Sequence, residues 1–282
     1  MARRFRTGAR LWPGTRGLTG LPVNRFKAAL RAPAVHMGLW LSLGSAITAE
    51  IGATAGFDWL LADGEHGPND ALTITEQLRA VGPYVVSLVA RARDGTAASI
   101  GPLLDAGVQT IMVPKVESAA QAEAIVRQLR YPPAGDRGVA VGSVRASRWG
   151  AIDEYLDHAA DELALIIQVE TRAGLANLSS LAGVEGVDGI FIGPNDLAAA
   201  LGHPGQQSHH DVQSAIANAL SALASAGTPT GILVGNAEDG ARYAALGCSF
   251  IAVGSDAGTL ARGLRRLATD ARAAMTGRQT LR

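Results

Sequence analysis

A closed (β/α)8 TIM barrel is the fold class that this sequence predicts, and three observations lead there. Short apolar runs recur eight times from residue 24 onward, with Ala/Leu-rich segments of helical spacing between them. The chain has 282 residues, and eight such units in about 250 residues suit a closed barrel better than an open doubly wound sheet. No Gly-x-Gly-x-x-Gly follows the first strand, which disfavours a dinucleotide fold.

Residues 1–23 stand outside this rhythm. Arg3, Arg4, Arg6, Arg10 and Arg16 lie among Gly, Thr and Pro without periodicity, and no apolar centre of a secretory signal is present. The Arg-rich, acid-free character would also suit an organellar transit peptide; a disordered, non-catalytic extension is the preferred reading. The barrel is expected over residues 24–282. Its strands fall near residues 35–43, 57–62, 85–91, 109–113, 163–169, 188–192, 230–234 and 249–253. Helices are expected over Ala97–Ala106, Ala119–Arg130, Asp211–Ala226 and Ala237–Leu246. Gly56, Gly82, Gly107, Gly227 and Gly247 come just before strands, where helices must stop. Residues 131–158 break the rhythm with a long stretch rich in Pro, Gly and Arg, read as a lid or a subunit contact. The final helix, Gly258 to Met275, gathers Leu260, Leu264, Leu267 and Ala271 on one face.

Composition narrows the function. At 48% hydrophobic the chain can bury a large core. Its formal charge of zero hides an asymmetry: residues 1–49 hold eight Lys/Arg and no acid, which leaves 17 basic against 25 acidic side chains in the remainder. An acidic body argues against a nucleic-acid partner. No stretch offers 18 uninterrupted apolar residues, so no membrane span is expected, and the expected compartment is the cytoplasm. The single cysteine, Cys248, excludes an internal disulfide framework and a multi-Cys zinc site, and opens an apolar run as a small core residue.

The most informative stretch is Leu60-Leu61-Ala62-Asp63-Gly64-Glu65-His66-Gly67-Pro68-Asn69-Asp70. A strand ends there in a cluster of acid/base groups, as at the catalytic rim of a βα-barrel enzyme. Taken alone, it could equally be a polar loop with a solvated His. Other strand ends add to it: Arg91 closes the third strand, Gln168-Val169-Glu170-Thr171-Arg172 ends the fifth, and the sixth runs into Gly193-Pro194-Asn195-Asp196-Leu197. A base, a cation and two carboxylates therefore converge on one rim. Two carboxylates on adjacent strands repel unless a proton or cation lies between them, and a hard divalent ion would resolve that repulsion. The competing arrangement pairs Glu170 with Arg172 and uses Asp196 to cap the next helix. His203, His209 and His210 fall in a polar linker and read as solvated; His36 and His158 are undecided.

Further motifs complete the pattern: Asn24-Arg25-Phe26-Lys27, Gly38-Leu39-Trp40, Val113-Pro114, Arg130-Tyr131-Pro132-Pro133-Ala134-Gly135, Arg137-Gly138-Val139 and Arg145-Ala146-Ser147-Arg148-Trp149. With Asp58 to His66 and Gly193 to Leu197, these resemble the HpcH/HpaI aldolases, the metal-dependent class II pyruvate aldolases typified by 4-hydroxy-2-oxoheptanedioate aldolase. The likeness runs from about Asn24 to about Ala274. It implies cleavage or formation of 4-hydroxy-2-oxo acids from pyruvate and an aldehyde such as succinic semialdehyde, through a metal-bound pyruvate enolate. Glu170 and Asp196 match the ligands of the divalent metal (Mg²⁺, Mn²⁺ or Co²⁺). His66 matches the proton acceptor and Arg91 the enolate stabiliser, while Gln168, Asn195 and Asp196 match substrate contacts. Asp105 matches a carboxylate that raises the basicity of the His. Its own position, at the end of a helix on the far side of a barrel, suggests only a helix-terminal polar residue, so the implied contact would cross a subunit interface or follow a path that the sequence does not trace. The resemblance also implies a homohexamer whose last helix is exchanged between neighbours; packing of that helix on its own barrel is the simpler alternative.

Two departures from the family pattern bear on the aldehyde. Asn195 replaces a common Ala beside a metal ligand, and Lys115 replaces an apolar residue at a strand end. A 2-dehydro-3-deoxy sugar-acid aldolase of the same family is an alternative activity, as is a class I Schiff-base aldolase through Lys115. A non-catalytic keto-acid-binding barrel and a CoA-ester lyase fit the rim residues less well.

Overall fold

The computed structural model describes residues 20–277, so the basic extension expected over residues 1–23 lies outside the described residues except at its end. Helix α1 (Arg25–Ala29) precedes β1 (His36–Leu41), α2 (Ala46–Ala53), β2 (Trp59–Asp63), α3 (Ala71–Val81), β3 (Ser87–Arg91), α4 (Ala97–Ala106), β4 (Thr110–Val113) and α5 (Ala119–Leu129). The second half runs α6 (Tyr155–His158), β5 (Ala164–Val169), α7 (Arg172–Ala176), α8 (Leu178–Ala182), β6 (Gly189–Ile192), α9 (Pro194–Ala200), α10 (His210–Ser225), β7 (Thr230–Leu233), α11 (Ala237–Ala245), β8 (Phe250–Ser255) and α12 (Asp256–Gly277). The strands pair in chain order, and β8 returns to β1 in parallel, closing the barrel. The expected fold class is therefore present.

Local sequence accounts for the helix starts and stops. Ser45, Asp70, Thr96, Ser118 and Asn236 accept a backbone N–H and cap α2, α3, α4, α5 and α11. Of the five glycines expected at helix stops, Gly56, Gly107, Gly227 and Gly247 are left-handed. Gly82 instead stays right-handed, with φ −54°.

Inside the barrel, alternating strand residues build an aromatic layer. Trp40, Trp59, Leu61, Val89, Met112, Ile166, Phe191, Phe250 and Ala252 form one buried cluster with Phe26 and Leu30. Helix α1 closes the N-terminal end of the strands: the Phe26 ring lies 5.6 Å from Trp59 and 5.7 Å from Phe250. Asn24 caps α1 and anchors it to Thr110 and Glu162. Two glycines make room for the large rings beside them. Gly38 pairs with Trp59 and Gly231 with Phe250 across neighbouring strands. A Cβ on Gly38 would lie 2.2 Å from the Trp59 ring, and one on Gly231 would lie 2.1 Å from Phe250.

Residues 131–158 connect α5 to β5 and so lie at the N-terminal end of the strands, away from the rim. They form a small core of Tyr131, Ala146, Ile152 and Tyr155, tied to α4 by Ala146 N–H and the Arg145 side chain. The lid reading is corrected: helix-to-strand connections reach the wrong end to cover this chain's own rim. Among the described residues, no helix is long and apolar enough to cross a membrane.

Gly38→Ala should force the Trp59 ring from its layer and lower stability by about 1–3 kcal/mol, the usual cost of overpacking. Urea unfolding checks this, and an unchanged midpoint would mean that the layer yields freely.

Candidate active site

The rim chemistry follows from strand parity. On β2 the inward positions run Trp59, Leu61, Asp63, and on β3 Val89, Arg91. Asp63 and Arg91 are also register partners across the two strands. They form a two-pronged ion pair, with Arg91 Nε donating to Asp63 Oδ1 at 2.9 Å and Nη2 to Oδ2 at 2.7 Å. Trp40 Nε1 donates to the same carboxylate at 3.0 Å, and its ring underlies the guanidinium at 4.9 Å. Burial pushes the Asp63 carboxyl up, but the bonds and charge of Arg91, with Trp40, hold it below the usual carboxylate range.

Beyond Asp63 the turn folds back on the strand end. Asp63 Oδ1 accepts the backbone N–H groups of Glu65 and His66. Glu65 Oε2 lies 2.7 Å from Arg91 Nη1, an ionic contact outside hydrogen-bond alignment, and its Oε1 is 3.1 Å from Lys115 Nζ. His66 reaches outward with its side chain 61% exposed and its Nε2 3.8 Å from Glu65 Oε1.

On the other side, Gln168 and Glu170 continue the inward column of β5 beyond Ile166. Lys115 N–H donates to Glu170 Oε1 at 3.1 Å, and the Gln168 amide donates to Oε2. Gly193 permits this placement, since a Cβ there would lie 2.3 Å from Glu170 Oε2. Burial, then the charges of Asp196 and Glu65, push the Glu170 carboxyl up to about 7, against the opposing pull of Arg91 and Gln168. The alternative read from sequence is absent among the described residues. Arg172 Nε donates to Ala200 O instead of pairing with Glu170, and the N-cap of α9 is Gly193, with no side-chain cap.

Asp196 sits half-buried in the first turn of α9, beside an exposed Asn195 whose side-chain Oδ1 accepts from the Gln207 amide. A hard divalent ion fits these residues. Two carboxylates repel one another here, and the buried Gln168 Oε1 has no partner among the described residues. Asp105 stands apart, at the C-terminal end of α4, 3.3 Å from Arg137. Within one chain it does not join His66.

Sequence reasoning left out Asp63 as the anchor of Arg91, Glu65 as its second counter-charge, Trp40 beneath it and Gly193 beside Glu170. The parity of Trp59-Leu61-Asp63 was the available signal for Asp63. The solvated-linker reading of His203 and His209 is corrected. Their rings stack 3.5 Å apart, and His209 Nδ1 caps α10 by accepting Asp211 N–H. Their donor atoms and that of Asp211 lie within 4.8 Å. Stacked rings do not aim their lone pairs at one point, and the capping bond already occupies one of them. A cavity of about 610 Å³ opens at the opposite end of the barrel among Val23, Leu88 and Arg145, where no acid or histidine lines it.

The family model for HpcH/HpaI aldolase/citrate lyase matches residues 36–263. The chain belongs to this family. It is 53% identical over 248 residues to the hydroxypyruvate/pyruvate aldolase of Pseudomonas aeruginosa, covering 88% of this chain and 92% of that protein. It is 47% identical over 245 residues to the 4-hydroxy-2-oxo-heptane-1,7-dioate aldolase of Shigella boydii, covering 87% and 94%. A crystal structure of a family protein from Burkholderia cenocepacia superposes with a TM-score of 0.86 at 39% identity, covering 89% of this chain and all of that one.

A Glu170 carboxyl that titrates near 7 makes cation binding compete with protons. Mn²⁺ affinity should fall about tenfold per pH unit below about 7 and level off above it, as read by calorimetric titration. The sign for the fold runs the other way. The cation-free chain keeps a proton on Glu170 above the ordinary value of 4.5, so this group lowers stability as pH rises toward about 7. An Mn²⁺ affinity flat with pH would remove Glu170 from the ligand set.

Proposed function

We propose that this chain is a class II pyruvate aldolase, a carbon–carbon lyase that cleaves and forms 4-hydroxy-2-oxo acids. The observation that carries this is electrostatic: a buried carboxylate, Glu170, raised beside Asp196 on the same rim as the fixed guanidinium of Arg91. The family membership supports it, as do the names of the relatives, one a hydroxypyruvate/pyruvate aldolase and the other an aldolase of a 4-hydroxy-2-oxo acid. Glu170 and Asp196 would hold Mg²⁺, Mn²⁺ or Co²⁺, with Gln168 and Asn195 as substrate contacts. When bound, the ion would act as a Lewis acid toward the keto acid. Arg91 supplies fixed positive charge to the developing enolate oxygen, and its geometry is already set by Asp63 and Glu65. His66, free toward solvent, takes the 4-hydroxyl proton in cleavage and returns it in addition. The Schiff-base alternative is disfavoured at Lys115: the bond to Glu65 and its charge hold the amine above its ordinary pKa, whereas a nucleophilic lysine needs the reverse.

Pyruvate release from 4-hydroxy-2-oxo acids with added divalent ions tests this reading. Glu170→Ala or Asp196→Ala should abolish release. His66→Ala should slow carbon–carbon cleavage by about 10²–10⁴-fold. Arg91→Ala should also slow proton exchange at the pyruvate methyl. Full activity of Glu170→Ala after chelator treatment would overturn the metal assignment.

We further infer a homohexamer in which α12 is exchanged between neighbours. Leu260, Leu264 and Leu267 are each more than half exposed on α12, and Ile47 and Ile51 are likewise uncovered on α2. Two unsatisfied apolar faces on one chain call for a second copy. Exchange would also offer Asp105 a route to a neighbour's His66. Truncation after Gly258 should break the assembly; light scattering that found a fully active monomer of 29.0 kDa would rule it out.

A further inference from the structure

Lys115 occupies an unusual place on the rim. It follows β4 with φ at +56°, a left-handed conformation that a side chain with a Cβ adopts at a cost. The bend serves Glu170 by aiming the Lys115 N–H at it, but any residue except proline supplies that N–H, and glycine would supply it with less strain. The side chain therefore needs its own account. Its ammonium lies 3.1 Å from Glu65 Oε1, the oxygen that also faces His66 Nε2 at 3.8 Å. Lys115 and His66 thus flank the same carboxylate oxygen, on the side where the proposed aldol reaction handles the aldehyde-derived hydroxyl. The Lys115 side chain is 56% exposed, so the ion pair does not bury it. One of its three N–H groups points to Glu65, which leaves two for a ligand.

The charge around it sharpens the point. Asp63, Glu65, Glu170 and Asp196 crowd this rim, and Arg91 is spent on Asp63 and Glu65 with only 4% of its surface exposed. Of the two cations set against these carboxylates, Arg91 and Lys115, only Lys115 is exposed enough to meet an anion arriving from solvent.

We propose that Lys115 is a specificity-determining residue that receives a carboxylate at the far end of the aldehyde half. It thereby favours acid semialdehydes over neutral aldehydes of the same length. This rests on the aldolase reading above. The measurement compares kcat/KM for pyruvate release from 4-hydroxy-2-oxoheptanedioate and from its analogue ending in a primary alcohol. Lys115→Met should lower the preference for the diacid by about 10- to 100-fold, the size of a hydrogen bond to a charged group. The change should fall mainly on KM for the diacid, and Lys115→Arg should keep most of the preference. An equal loss on both substrates would make Lys115 a scaffold for Glu65 and overturn the proposal, as would an unchanged ratio. No pyruvate release from either substrate by the unmodified enzyme would overturn the aldolase reading itself.

Discussion

Everything on the rim depends on keeping one guanidinium buried. Removing an ion from water costs several kcal/mol, which close opposite charges and full hydrogen bonding must offset. Arg91 meets that condition through the two-pronged bond to Asp63, the close contact with Glu65 and the Trp40 ring beneath it. The same Asp63 shapes the turn after β2, because its Oδ1 collects the N–H groups of Glu65 and His66. Gly64 lets that turn begin while its N–H still pairs with Arg91 O; a Cβ there would lie 2.6 Å from that oxygen. The ionisable residues of the Asp-Gly-Glu-His stretch therefore do separate work. Asp63 anchors, Glu65 supplies a second negative charge, and His66 is left facing solvent.

Pairing is uneven around the rest of the rim, and that unevenness sets Glu170 apart from the other carboxylates. Asp63 and Glu65 are matched by Arg91 and Lys115. Glu170 has the Lys115 N–H and the Gln168 amide as hydrogen-bond partners but no ion pair among the described residues. Burial, with the charges of Asp196 and Glu65, pushes its carboxyl up against the pull of Arg91 and Gln168. Three of the carboxylates thus have settled electrostatic or solvent outlets, whereas Glu170 waits for positive charge. A group held at about 7 changes its state near neutral pH.

Much of this could be read from the chain. The alternation of apolar runs and Ala/Leu-rich segments located the eight strands, because parallel strands buried on both faces lack polar interruptions. Ala97–Ala106 was bounded without error, since Thr96 and Gly107 mark both ends in sequence. Glu170 stood out because a carboxylate continuing an Ile/Val column demands a reason. The partners of Arg91 were less visible: Asp63 and Arg91 are 28 residues apart, and only the register of β2 against β3 joins them. Residues 131–158 misled because composition marks a loop without marking its end of the barrel; the preceding helix Ala119–Leu129 carried that information. The stacking of His203 on His209 depends on a loop path that no periodicity encodes.

The two ends of the barrel meet different demands, and α12 leaves the rim end with an exposed apolar face. At the N-terminal end, α1 seals the aromatic layer. Past the rim, β8 runs into α12 without a connecting loop, and Asp256 fastens that junction to the backbone of Ser42 and Leu43 and the Thr48 hydroxyl. A helix fixed at its first residue, with no intervening turn, has no slack to fold back over α2. Ile47 and Ile51 therefore stay uncovered while Leu260, Leu264 and Leu267 face outward. The Asp256 junction thus sets the geometry that leaves both apolar faces open to a second copy.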